Sequence, residues 1–125
     1  IQKQADVISF HVPQNIETEH YYSGNFLNKC IKPHYLLNLS RGKIVDLEIV
    51  LLGIKNNQIK GACLDVLEYE KASFENIESG NEDLQYLLHS EKAILTPHIA
   101  GWTVQSKEKL AQVIVDKILF DFSKS

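Results

Sequence analysis

Methionine is absent from all 125 residues. Translation starts on that residue, and a bulky second residue such as Ile1 does not favour its removal, so a segment of a longer protein is expected. Ile1-Gln2-Lys3-Gln4-Ala5 reads as the tail of a helix that begins upstream. Cysteine is nearly absent: Cys30 and Cys63 are isolated, and Cys63 sits in an apolar run as a small buried hydrophobe. That argues against a disulfide framework and for reduced thiols in a cytoplasmic setting, with no metal site expected. No apolar run approaches the roughly 20 residues of a membrane span, and no signal-peptide pattern opens the chain, so no membrane partner is expected. Lys and Arg never cluster beyond a pair, and 13 of them face 16 Asp and Glu for a formal charge of −3. A nucleic-acid surface is therefore not expected either. Proline is scarce, at three residues, and each punctuates an element.

What is present is a chain 44% hydrophobic and 23% charged, sufficient for one domain with a core of its own. Asp6-Val7-Ile8-Ser9-Phe10-His11-Val12-Pro13 predicts a strand apolar on both faces and closed by Pro13. Ser23 predicts the N-cap of a short helix carrying Phe26, Leu27 and Ile31 that ends before Pro33. Tyr35 to Ser40 is a second strand, followed at once by Arg41-Gly42. Asp46 caps a helix with an apolar stripe at Ile49, Val50, Leu52 and Gly53-Ile54, ended by Asn56-Asn57. Ile59 to Val66 is a third strand whose small residues admit close helix packing. A polar surface loop runs from Glu68 to Asp83, and a helical turn from Asp83 to His89 points Leu84, Leu87 and Leu88 inward. Ala93-Ile94-Leu95 is a buried fourth strand stopped before Pro97. Gly101 lets the backbone turn closely, Trp102 packs at the mouth of the last helix, and Thr103 caps it. That helix, Val104 to about Phe122, is expected to bury Leu110, Val113, Ile114, the stem of Lys117, Ile118 and Phe122.

Strand–helix alternation of this kind predicts an α/β fold: about four parallel strands with flanking helices and right-handed crossovers. Every strand's carboxyl end then lies on one edge, where open α/β sheets place their ligands. His11, Ser40-Arg41-Gly42, Asp65 to Glu70 and His98 become neighbours there. Alone, Arg41 reads as a surface ion-pair partner, Glu70 as a solvated loop acid, Asp65 as a strand-end cap and His98 as a hydrogen-bonded loop residue. Together they suit one chemistry. Arg41 presents a permanently charged planar fork that matches a carboxylate. His98 titrates near neutral pH and can move the proton of a substrate hydroxyl, and Glu70 at its second nitrogen would fix its tautomer. That is acid/base chemistry for reversible alcohol oxidation, with the hydride passing to a nicotinamide cofactor.

Four stretches carry a resemblance: Ala5 to Pro13; Leu37-Asn38-Leu39-Ser40-Arg41-Gly42 with Val45-Asp46; Gly61-Ala62-Cys63-Leu64-Asp65-Val66 with Glu70; and Leu95-Thr96-Pro97-His98-Ile99-Ala100-Gly101. In order and spacing they resemble the motifs of the D-isomer-specific 2-hydroxyacid dehydrogenases, and within them those of the D-3-phosphoglycerate dehydrogenases of serine synthesis. The resemblance implies the second half of a Rossmann-type, doubly wound sheet, with NAD as cofactor and a small 2-hydroxy or 2-keto acid as substrate. It implies that Arg41 binds the substrate carboxylate, His98 is the acid/base and Glu70 pairs with His98. It further implies that Asp65 holds the nicotinamide carboxamide, while His11, Val12, Pro13, the backbone around Leu39 and Ser40, and Gly101 line the cofactor. This chain departs from the family at Lys71, usually a proline, and at Trp102, often smaller.

Neither a Gly-x-Gly-x-x-Gly nor an acidic strand end for the adenine ribose occurs here. Residues 1–125 are thus expected to be a partial NAD-binding domain that lacks the glycine-loop half and the substrate-binding domain, binds NAD weakly and is inactive alone. The first strand would leave an apolar edge exposed, so self-association as a homo-oligomer, a dimer, is expected. Relatives that act as NAD-sensing corepressors supply the rival reading, a non-enzymatic regulator. A response-regulator receiver is disfavoured because its acids after the first strand and its lysine after the last are replaced by His11 and His98.

Overall fold

The computed structural model describes residues 1–68 and 82–123. The predicted Glu70 and most of the polar loop lie outside the described residues. Residues 1–5 make a hydrogen-bonded turn in which the N–H of Ala5 donates to the carbonyl of Ile1 at 2.9 Å. The elements then run β1 (Val7–Phe10), α1 (Gly24–Asn28), β2 (His34–Asn38), a 3₁₀ turn (Gly42–Ile44), α2 (Leu47–Lys55), β3 (Ile59–Leu64), α3 (Glu82–His89), β4 (Ala93–Leu95) and α4 (Val104–Phe122). The four strands form one parallel sheet in the order β1-β2-β3-β4, with Ile8 opposite Leu36, Leu36 opposite Ala62 and Ala62 opposite Ala93. This is the predicted Rossmann-like α/β architecture of four parallel strands with flanking helices.

Local chemistry sets the boundaries. The side chain of Asp46 accepts from the backbone N–H groups of Glu48 and Ile49, capping α2, an arrangement worth about 1 kcal/mol. Thr103 caps α4 in the same way by accepting from the N–H of Ser106. Asn57, at φ 59°, takes the left-handed turn that ends α2. One face of the sheet, with Ile8, Phe10, Leu36, Ala62 and Leu64, packs on Leu27 of α1, Val50, Leu51 and Ile54 of α2, and Leu84 and Leu87 of α3. Phe10, Tyr22 and Phe26 add edge-to-face and tilted ring pairs at 5.1–6.0 Å.

Burial departs from the expectation in several places. The opposite sheet face is open among the described residues: Val7 is 54% exposed, Tyr35 49% and Ile94 61%, so the strands are apolar on both faces but covered on one. Cys63, on that open face, is half-buried. In α2 the inward positions are Leu47, Val50, Leu51 and Ile54, and Leu52 is exposed; in α3 Leu88 is exposed. Ile31 falls beyond the end of α1 and is exposed, because the helix closes at Asn28. The largest correction is α4: its span is as predicted, yet none of its residues is buried, and Leu110, Val113, Ile114, Ile118 and Phe122 all face outward, as does Trp102 before it. An amphipathic helix buries its stripe only against an opposing surface, and the described residues present none to α4.

Candidate functional site

All four strands point the same way, so the segments that follow them meet at one edge of the sheet. His11, Val12, Pro13 and Gln14 leave β1, and Leu39, Ser40 and Arg41 leave β2; together they line a cleft of about 670 Å³. Six of the predicted residues, His11, Val12, Pro13, Leu39, Ser40 and Arg41, are thereby brought to one place. The Oγ of Ser40 donates to the carbonyl of Val12 and joins the two walls. Beneath them the buried side chain of Asn38 donates from Nδ2 to the carbonyl of Arg41 at 3.0 Å and accepts the N–H of Ser40 at 3.2 Å. Asn38 thus shapes the turn that presents the exposed guanidinium, whose Nη1 donates to the carbonyl of Ser40 at 2.8 Å. Gly42 is required by close approach: a Cβ there would stand 2.0 Å from the carbonyl oxygen of Leu67.

His98 lies on the neighbouring turn after β4 and, like Asp65 and Gly101, outside the cleft lining. Its backbone is in the left-handed region at φ 54°, a conformation that costs a non-glycine residue about 1–2 kcal/mol. Asp65 opposes that cost. Its carbonyl accepts the N–H of His98 at 2.9 Å, and its carboxylate, 2% exposed, accepts the hydroxyl of Thr96 at 2.5 Å and the N–H groups of Ile99 and Ala100 at 2.9 and 3.0 Å. Three of the roughly four acceptor positions of the carboxylate are occupied by the turn that carries His98. Asp65 therefore braces His98, a part that strand-end position alone did not reveal. Gly101 does not supply the close turn expected of it: its φ is not positive and a Cβ there would meet nothing within 4 Å. His98 makes the left-handed bend instead.

Two further residues at this edge escaped the sequence reading. His20, at φ 49°, holds Glu68 through Nε2 and Oε1 at 2.6 Å, joining the segment after β1 to the one after β3. The hydrogen bond that His20 donates to Glu68 raises the pKa of His20 above the usual histidine value, against a smaller lowering by burial. The pair is 48 residues apart, and no local pattern announces it. His11, on the cleft wall, shares a 2.7 Å hydrogen bond between its Nε2 and the Oγ of Ser9. The cleft combines apolar walls at Val12, Pro13 and Leu39 with polar groups at His11, Gln14, Ser40 and Arg41, a lining and a size that suit one end of a nicotinamide cofactor. Among the described residues no group of three or more His, Cys, Asp or Glu side chains is arranged to hold a metal ion, and no helix is long and apolar enough to cross a membrane.

Comparison with known proteins agrees with the fold. Residues 1–100 match the family model described as D-isomer specific 2-hydroxyacid dehydrogenase, NAD binding domain. The chain is 34% identical over 116 residues to (S)-sulfolactate dehydrogenase of Chromohalobacter salexigens, covering 93% of this chain and 35% of that protein. It is 35% identical over 107 residues to the putative D-3-phosphoglycerate dehydrogenase of Schizosaccharomyces pombe, covering 83% and 23%. Among solved structures, D-lactate dehydrogenase from Aquifex aeolicus complexed with NAD and lactic acid matches with a TM-score of 0.71 at 30% identity, covering 98% of this chain and 38% of that one. The chain spans about a third or less of the length of these curated relatives.

Proposed function

This chain belongs to the D-isomer specific 2-hydroxyacid dehydrogenase family, through its NAD-binding domain, and from that premise we propose that the whole protein oxidises a small D-2-hydroxy acid reversibly to the 2-oxo acid. The observation that carries the proposal is the convergence of Arg41 with His11, Val12, Pro13, Leu39 and Ser40 on one cleft at the carboxyl edge of the sheet. NAD, when bound, accepts the hydride. Arg41 holds the acid by its carboxylate, and its planar fork orients the adjacent carbon as a point charge would not. His98 takes the hydroxyl proton during oxidation and returns it to the carbonyl oxygen during reduction, with Glu70 as the partner that steadies the imidazole. Asp65, which holds the His98 turn, would meet the nicotinamide carboxamide, with Gly101 and the backbone at Leu39 and Ser40 lining the cofactor.

Relatives named for sulfolactate and phosphoglycerate, and a structure holding lactic acid, put small 2-hydroxy acids at the head of any substrate panel, with D-3-phosphoglycerate the first to try. The test is NAD-dependent oxidation of such a panel by the whole protein and by its His98→Ala variant. Turnover of at least one acid, reduced about 10²-fold or more in the variant, is the expected result. Tight NAD binding with no turnover would replace the dehydrogenase by the sensor reading.

A further inference from the structure

His20 stands outside the cleft lining, yet it bonds to two segments beside the Arg41 turn. Its backbone N–H donates to the carbonyl of Lys43 at 2.7 Å, immediately after Arg41-Gly42. Two residues on, the N–H of Tyr22 donates to the carbonyl of Ile44 at 3.0 Å and the carbonyl of Tyr22 accepts the N–H of Asp46 at 3.0 Å, so residues 20–22 run as a short parallel bridge beside residues 43–46. The imidazole of His20 reaches the other way and holds Glu68. Glu68 in turn follows Leu67, whose carbonyl lies where any side chain on Gly42 would have to be. The Arg41-Gly42-Lys43 turn is therefore gripped between His20 on one side and the Leu67-Glu68 backbone on the other, and His20 bonds both to the turn, at Lys43, and to the opposite jaw, at Glu68.

A left-handed backbone at His20 is a further cost of about 1–2 kcal/mol that an ordinary loop residue would avoid by relaxing. Two bonds made from this one residue, its N–H to Lys43 and its side chain to Glu68, oppose that cost. Glu68 is 18% exposed at its side chain and His20 42%, so the bond is partly shielded from water.

We propose that His20 is a positioning residue for Arg41: by holding Glu68 it clamps the Arg41 turn against the loop leaving β3 and sets the direction from which the guanidinium meets a substrate carboxylate. The inference rests on the dehydrogenase reading above. The clamp is strongest with the imidazole protonated, because the groups around it are the carboxylates of Glu68, Glu19 and Asp46; Lys43, beside it, is itself paired with Glu19 at 3.0 Å. It loosens as pH rises and His20 loses its proton, and the affinity for the acid falls with it.

The test is steady-state reduction of the preferred 2-oxo acid by the whole protein across pH, for the wild type, His20→Asn, Glu68→Gln and the double variant. Asparagine tolerates the left-handed backbone and removes the cation. Expected is a KM for the acid about fivefold or more higher in each single variant, a much smaller change in kcat, and a double variant no worse than either single one. The wild-type KM rises as His20 loses its proton, and this component is missing from His20→Asn, whose remaining pH dependence is that of His98. Should His20→Asn fail to fold, Glu68→Gln, which leaves the backbone bonds intact, gives the same reading. A wild-type enzyme that turns over while both variants keep its KM and pH profile overturns the clamp alone, as do single effects that multiply independently in the double variant. A wild type that turns over no acid overturns the dehydrogenase reading and the clamp with it.

Discussion

Replacing Asp65 by asparagine keeps the size of the side chain and removes what makes it useful at the His98 turn. The carboxylate accepts from two backbone N–H groups and a hydroxyl, one donor on Oδ2 and two on Oδ1. In Asp65→Asn one oxygen becomes an NH₂ donor. If it faces Ala100, that N–H loses its acceptor and meets another donor; the loss of a hydrogen bond to a charged group is about 1.5–3 kcal/mol. The remaining bonds weaken as well, because neutral acceptors bind about half as strongly as charged ones. Relief from holding a carboxylate in a buried site offsets part of this. A net loss of about 2–3 kcal/mol at the turn results, of the same order as the cost of holding His98 at φ 54°. The turn should then open on its own, ahead of the rest of the fold. Native-state hydrogen exchange reads this directly: the amides of Ile99 and Ala100 should exchange roughly 30- to 150-fold faster in the variant, while the amides of Val50 and Asn56 in and at the end of α2 keep their protection. Protection at Ile99 and Ala100 that stays within about threefold of wild type would refute the bracing role of Asp65. So would equal loss of protection in α2, which would show a global rather than a local effect.

Gly42→Ala should destabilise the protein by about 3 kcal/mol or more, since the new Cβ would meet the Leu67 backbone at 2.0 Å, where nothing flexible can yield; chemical denaturation gives the value, and a loss below 1 kcal/mol would contradict the close approach. Tyr22→Phe should cost about 1–3 kcal/mol in the same assay, because it strips the buried Nε2 of His34 of its 2.9 Å partner, the Tyr22 hydroxyl. Histidine titration by NMR should separate two signs: burial lowers the pKa of His34, so its contribution is present above the unfolded value near 6.5 and lost as pH falls from there through the lower folded value. The bond to Glu68 raises the pKa of His20, so its contribution is present below about 6.5 and lost as pH rises through the folded value. Imidazoles that titrate together would contradict both environments.

The site was legible where chemistry and topology coincide. His11, Ser40, Arg41 and His98 each follow a strand, and a parallel sheet gathers strand ends whatever lies between them. The His20–Glu68 pair was not legible, because only the fold brings together residues 48 positions apart; Asn38, whose partners lie two and three residues on, was missed because a polar residue closing an apolar strand reads as part of the strand. Gly101 shows the limit of residue-type reasoning at a bend. Glycine is the usual choice for a left-handed turn, yet here histidine takes that conformation, and the bonds that the turn donates to Asp65 explain how.

Helix phase was harder than helix span, for a reason visible in α2. Leu47-Glu48-Ile49-Val50-Leu51-Leu52-Gly53-Ile54-Lys55 has polar side chains only at its ends, so its periodicity barely distinguishes Leu51 from Leu52 as the inward leucine. Contact with the sheet decides it. In α4 the opposite holds: periodicity is clear and the boundaries, from the Thr103 cap to Phe122, are as the pattern predicts. A periodic apolar stripe states that a helix has a face to bury; it does not state what buries it. The open sheet face at Val7, Tyr35 and Ile94 carries the same message from the other layer. Both surfaces were written into the sequence as apolar, and both stay uncovered by the described residues, because hydrophobic pattern encodes the need for a partner while only three-dimensional complementarity identifies it.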